Sequence, residues 1–259
     1  MFDLDRWREI FQSINKNRLR SVMSGFTVDF AILLFTLLFG VANGLGNFFK
    51  GAFADDAQNS MFVRVWKTSK PYKGLQTGRR VQLKNADYDF VAEEYENKIQ
   101  YQSARIYKNF SIKYKSEASA YNIRAVNPDH QFLEKTIIDE GRYLNERDLN
   151  QKSKVIVIGR LIKEDLFGEK PALGKRVNVN GSSFLIIGIF SDEGGDNEER
   201  MAYMPVTTAQ MMYGNNDYIS QINLGYNPNL STDAAIAFGN KMERDLRNRM
   251  DIHPDDQSA

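Results

Sequence analysis

Side chains able to do chemistry are few in this sequence and poorly spaced for it. The two histidines, His130 and His253, lie in turn-like stretches beside Pro and Asp, and neither fits an H-E-x-x-H or other metal-ligand spacing. Each is read as a surface or structural residue. The absence of cysteine removes thiol catalysis, disulfide frameworks and Cys-based zinc sites. No G-x-S-x-G elbow occurs. Gly159-Arg160, Gly168 and Gly174 fall in loops and never form G-x-x-x-x-G-K-[ST], so ATP hydrolysis by a P-loop is not expected of this chain.

The remaining polar groupings have plainer readings. Asp139, Glu140, Glu146 and Asp148 are numerous enough to pair as acid and base, but solvated turns explain acids so close in sequence better. The run Asp192-Glu193-Gly194-Gly195-Asp196-Asn197-Glu198-Glu199 lacks the EF-hand spacing and is expected to be a solvated, mobile loop. Met201, Met204, Met211 and Met212 offer soft copper ligands, with core filling the preferred role. Asn109, Asn180 and Asn229 begin N-x-S sequons, which matter only in a eukaryotic secretory setting. No catalytic residue, cofactor site or metal ligand is assigned, so a transducer or binding module is the default class.

The bulk composition permits one or two folded domains. The chain has 259 residues, a formal charge of +1, 42% hydrophobic and 12% aromatic residues. Disorder would need fewer apolar residues or more net charge. The near-neutral balance argues against a nucleic-acid binder.

What must position any function is a membrane segment. Residues 25–45 read GFTVDFAILLFTLLFGVANGL, with Asp29 the one ionisable group. At about 1.5 Å per residue they reach about 30 Å, the thickness of the hydrocarbon core. A cleaved signal peptide fits poorly, because some twenty patterned residues precede the run, although Ala52-Phe53-Ala54 is a conceivable cleavage site. Lys16, Arg18 and Arg20 stand directly before the span, and Lys50, Asp55 and Asp56 follow it. Lysine and arginine stay cytoplasmic, so the N-terminus is expected inside and everything after Lys50 outside. Residues 3–17 are expected to form an amphipathic helix with Leu4, Trp7, Ile10, Phe11 and Ile14 on one face and Asp3 or Asp5 as cap. That face suits the inner-leaflet interface or another protein helix. Asp29 lies about one turn from the cytoplasmic end of the span, where it either snorkels to the interface or meets a second membrane helix.

Beyond residue 59 the pattern is mixed α and β. Strands are expected at 61–66, 80–83, 103–114, 120–126, 155–159 and 220–224, and helices start at Asp87, Leu161, Thr207 or Thr208, and Thr232 or Asp233. Asn180-Gly181 signals a hairpin. The expected fold class is α+β: a cytoplasmic amphipathic helix (1–21), a transmembrane helix (22–48), a discontinuous α/β subdomain (49–126 and 191–259), and an inserted α+β subdomain (127–190).

Taken in order, several stretches resemble one family. FDLDRWREIFQSINKNRLRS before the span, GVANGLGN at its end, TSKPYKGLQTGRRVQL, and EGRYLNERDLNQKSKVIVIGRLIKEDLFGEKPALGKRVNVNGSSFLIIGIF look like MacB-type ABC-transporter permeases, and Asp255-Asp256 also fits. The resemblance implies an outer domain of two subdomains, a dimer of permeases, a separate or fused ABC ATPase, and in some systems an adaptor or outer-membrane partner. It implies export or extraction of lipopeptides, toxins, antibiotics or lipoproteins, driven by ATP in the cytoplasm of a bacterium whose inner membrane the chain crosses. The family carries three more membrane helices after the outer domain, and nothing after Gly214 approaches a second span, which reads as a fragment or a truncated product. Asp29 stands where the family has an apolar or small residue. The competing readings are a single-span receptor for a small ligand and an anchored hydrolase built on the four carboxylates above.

Overall fold

A computed structural model describes residues 7–8, 15–52, 59–256 and 258, in two compact units, Met1–Phe53 and Ala54–Ala259. Most of the expected amphipathic helix, including Asp3, Leu4, Asp5, Ile10, Phe11 and Ile14, lies outside the described residues, as do Asp55 and Asp56.

In the first unit, helix α1 runs from Arg18 to Ala52. Its segment Arg18–Leu45, 28 residues, is long and apolar enough to cross a membrane. At ~1.5 Å per residue that segment is about 42 Å long, longer than a hydrocarbon core of about 30 Å. Its large apolar side chains, from Val22 to Leu45, are exposed rather than packed on protein. The threonines do not leave stray donors in this run. Thr27 Oγ1 donates to Met23 O and Thr36 Oγ1 to Ile32 O, each at 2.8 Å.

The second unit is built from β1 (Ser60–Val63), β2 (Leu83–Lys84), α2 (Asn85–Glu94), β3 (Ile99–Tyr114), β4 (Glu117–Val126), α3 (His130–Leu133), β5 (Ile137–Gly141), α4 (Glu146–Asn150), β6 (Val155–Gly159), α5 (Arg160–Phe167), β7 (Arg176–Val179), β8 (Ser182–Ser191), α6 (Asp196–Glu199), β9 (Met201–Pro205), α7 (Val206–Met212), β10 (Tyr218–Ile219), β11 (Gln221–Tyr226) and α8 (Thr232–Arg249). One nine-stranded sheet has the order β1-β11-β3-β4-β9-β6-β8-β5, with β7 bridging β3 and β8; β2 and β10 form a separate pair. The β4–β9 and β6–β8 pairs are parallel. The long strand β3 pairs with β11 and β4, and near its far end Ile112 and Lys113 meet β7.

Two apolar layers follow from strand alternation. Ala104, Ile106, Ile222 and Leu224 point to one face, under Val91 of α2, Tyr95 just after it, and Phe238, Met242 and Leu246 of α8. Val126, Tyr143, Val157, Phe190 and Tyr203 form a second cluster. β6 is buried along its whole length, as its unbroken apolar run implies. The Asn180-Gly181 turn has φ of 47° and 86°, both left-handed, the conformation a two-residue hairpin loop requires.

Element ends differ from the sequence expectations in instructive ways. The strand expected at 61–66 closes at Val63. Lys84, not Asp87, is the first cap; Asp87 sits one turn inside and accepts from Lys84 N at 3.0 Å. Ser231, not the expected Thr232 or Asp233, caps α8, accepting from Ala234 N at 3.3 Å. Residues 196–199 fold as helix α6 and bury Glu199, so the acidic run is not wholly a solvated loop. Met201 and Met204 are core residues, but Met211 is 38% exposed.

Candidate functional site

Charged residues at inward positions of neighbouring strands need partners, because burying an unpaired charge costs several kcal/mol. Arg105 on β3 and Arg124 on β4 are such residues. Their side chains are 6% and 14% exposed, and both reach Glu134, which follows α3 and is 13% exposed. Arg105 Nη2 donates to one Glu134 oxygen, and Arg124 Nη1 donates to the other at 2.8 Å. Arg124 also pairs with Glu198 of α6 at 3.2 Å. Burial, with Glu134 and Asp192 nearby, raises the Glu198 carboxyl above its ordinary range against the pull of Arg124.

His130 completes this network. It is fully buried, and its Nε2 lies 2.8 Å from Arg105 Nη2. A guanidinium can only donate, so Nε2 accepts and Nδ1 carries the proton, which it donates to Tyr143 Oη at 3.2 Å. Burial, then the charges of Arg105 and Arg124, hold the imidazole pKa well below its usual value, so the ring is neutral. Tyr203 closes the site from β9, its ring 4.9 Å from both His130 and Phe190. Beside it, Arg160 at the start of α5 pairs with Glu199. The α6 backbone reaches so near β6 that a Cβ on Gly159 would collide with Glu199 O.

A second constellation ties two distant stretches. Asp256 is buried and accepts from Ser69 N and Ser69 Oγ at 2.7 Å each and from Lys70 N at 3.1 Å. The Ser69 hydroxyl, against the cost of burial, and the amides of Lys70, Ser258 and Ser69 hold its carboxyl well below the usual range. Arg79 Nη2 donates to Met250 O at 2.7 Å and Asp251 O at 2.9 Å. Lys73 pairs with Asp251 at 2.8 Å, and the His253 ring stands edge-on to Tyr72 at 5.5 Å. Residues 69–79, close after the apolar helix in sequence, are thus fastened to residues 250–256.

The carboxylates considered for hydrolysis have other roles. Asp148 pairs with Arg142 at 2.6 Å and forms a capping box with Asn145; Asp139 accepts from Ser191 Oγ at 2.9 Å; Glu140 and Glu146 are exposed. Among the described residues no His, Asp and Glu group is arranged to hold a metal ion. Lys16, Arg18 and Arg20 lie at the start of the helical segment and Asp29 within α1, all exposed. The sequence alone does not single out Arg105, Arg124 and Glu134; the available signal is an arginine amid alternating strand residues, in AYNIRAV and YQSARIY.

Residues 22–237 match the MacB-like periplasmic core domain. The chain belongs to that family. The ABC transporter permease YvrN of Bacillus subtilis (strain 168), named as uncharacterised, is 27% identical over 218 residues, covering 78% of this chain and 52% of YvrN. The macrolide export ATP-binding/permease protein MacB of Bdellovibrio bacteriovorus is 20% identical over 218 residues, covering 83% of this chain and 33% of that protein. The chain therefore spans about half the length of one relative and a third of the other. The crystal structure of the periplasmic region of MacB from Actinobacillus actinomycetemcomitans superposes with a TM-score of 0.64 at 18% identity, covering 77% of this chain and 89% of that one. The extracellular domain of the transporter YknZ from Gram-positive bacteria gives 0.62, also at 18% identity, over 75% and 97%. At such identity the likeness is one of fold, and the fold is the α+β arrangement expected from the sequence, an apolar N-terminal helix followed by a mixed α/β domain.

Proposed function

We propose that this MacB-like core is the membrane-anchored periplasmic region of an ABC transporter permease. It passes ATP-driven movement from the cytoplasm to the outer face of the inner membrane. The observation that carries the proposal is the Asp256 clamp. A stretch close after the membrane helix in sequence, 69–79, is bonded to residues 250–256 through a buried carboxylate and an arginine fork. Force entering through one stretch is delivered to the other without slack, which a transmitter needs and a ligand receptor does not.

Orientation follows from Lys16, Arg18 and Arg20, which stay cytoplasmic. The first turn of α1 has no acidic residue, and Arg18 and Arg20 oppose its dipole there; anionic headgroups of the inner leaflet would offset that cost. Asp29 then lies near the cytoplasmic end, where it snorkels or contacts a second membrane helix. The outer domain divides into 49–126 with 191–259 and an insert, 127–190. The Arg105–Glu134–Arg124–Glu198 network would lock the two together. ATP hydrolysis belongs to a partner ATPase and not to this chain. The working form is a permease dimer, joined in some envelopes by an adaptor or outer-membrane protein. Its cargo would be of the antibiotic, peptide or lipoprotein kind, in keeping with relatives named for macrolide export.

The test is recovery of the full-length gene product from native membranes with identification of what accompanies it. An ABC ATPase in stoichiometric yield supports the proposal. A single-span protein recovered without any ATPase refutes it and favours a membrane-anchored receptor.

A further inference from the structure

Past the end of β1 the chain walls a cleft of about 580 Å³, within the size range of small-molecule sites. Arg64, Lys67 and Arg80 line it, with Trp66 and Tyr107 beside them, and among the described residues no carboxylate lines it. Lys67 and Arg80 are directly opposite across an isolated antiparallel bridge, where like charges repel. On the same domain Lys73, Arg160 and Arg200 each pair with an acid. Arg64, Lys67 and Arg80 have no ion pair among the described residues. The fold therefore bears a local repulsion that no acid among those residues relieves.

Arg64 is also pre-oriented. Its Nε donates to Gln221 Oε1 at 2.5 Å, and the same oxygen accepts from Tyr107 Oη at 2.8 Å. Gln221 is fully buried, so the guanidinium is anchored from the sheet, while its two Nη groups make no hydrogen bond among the described residues and can grip a ligand. Trp66 is 68% exposed, a large ring in water at the mouth of the cleft.

We propose that this cleft binds a phosphate-bearing ligand, with the phosphate held by Arg64, Lys67 and Arg80 and its adjoining group lying on Trp66. Guanidinium forks match phosphate oxygens two at a time. A phospholipid headgroup and a soluble phosphate compound share this chemistry. The inference rests on the cleft and stands apart from the transport proposal.

The experiment uses the full chain in phosphatidylcholine nanodiscs. The sequence has two tryptophans, so Trp7→Phe leaves Trp66 as the chain's only tryptophan. Pyrophosphate is titrated in one arm and phosphatidylglycerol vesicles in the other, against phosphatidylcholine vesicles. Saturable change of Trp66 emission with pyrophosphate assigns a soluble ligand; change with anionic vesicles alone assigns a headgroup. In either case Lys67→Glu with Arg80→Glu should weaken binding at least tenfold, and the milder Arg80→Gln about threefold, with unchanged melting by circular dichroism. Response to neither probe overturns the proposal, as does binding by the charge-reversed variant within twofold of the parent.

Discussion

Glu134→Gln removes one negative charge from between two buried cations. Arg124 keeps Glu198 at 3.2 Å, so its charge stays compensated. Arg105, 6% exposed, is left with the neutral His130 ring and the Tyr107 hydroxyl and without its acid. Removing one partner of a buried pair costs about 3–5 kcal/mol. With one guanidinium orphaned and the glutamine amide able to accept one bond, we expect the low end, about 3 kcal/mol. A domain of this size shifts by about 2–4 °C per kcal/mol, so melting should fall by about 6–12 °C. Urea unfolding of the full chain in detergent, followed by circular dichroism, measures the difference. Arg105→Met in the same background removes the orphaned charge and should restore more than half of the loss. A loss below about 1 kcal/mol for Glu134→Gln, or no recovery in the double variant, would refute the reasoning.

Other outcomes follow from the same geometry. His130 has a folded pKa well below its unfolded value, so the unfolded chain takes up a proton that the folded chain refuses as pH drops below about 6.5. Stability should then fall with acidification, by up to about 1.4 kcal/mol per pH unit; His130→Gln should flatten that slope in melts between pH 7 and 5. Gly159→Ala drives a Cβ into Glu199 O, and overpacking of this kind costs about 1–3 kcal/mol, read in the same unfolding assay. Asp256→Asn should speed hydrogen exchange at Ser69 and Lys70 at least tenfold and leave β6 protected. Because the chain lacks cysteine, single cysteines at Asn17 and Glu193 report topology: a membrane-impermeant maleimide should label position 193 in intact spheroplasts and not position 17.

Features with a short repeat were legible in the sequence. The apolar run predicted α1, four buried β-branched residues predicted β6, and Asn180-Gly181 predicted the β7–β8 turn. Boundaries slipped where neighbouring residues compete for one role. Ser231, Thr232 and Asp233 can all cap a helix, and only backbone geometry selects Ser231. The network was not legible because its members come from residues 105, 124, 130, 134 and 198, and no local rule links an arginine on β3 to an acid after α3. The clamp joins Ser69 to Asp256 across 187 positions. Its acid drew notice only through family resemblance, since Asp-Asp near a chain end is by itself unremarkable.

The pairing of β1 with β11 also sets a timetable. Phe62 faces Asn223, so the edge strand made first in synthesis is completed by a strand made 161 residues later. At about 5–20 residues per second of synthesis, β1 waits roughly 8–32 s with its ladder groups unpaired. Contacts of such long range also slow the closing step itself. During that interval the nascent outer domain exposes a strand edge next to an apolar face. Its survival in the cell then depends on how quickly β11 arrives and on what holds β1 until it does.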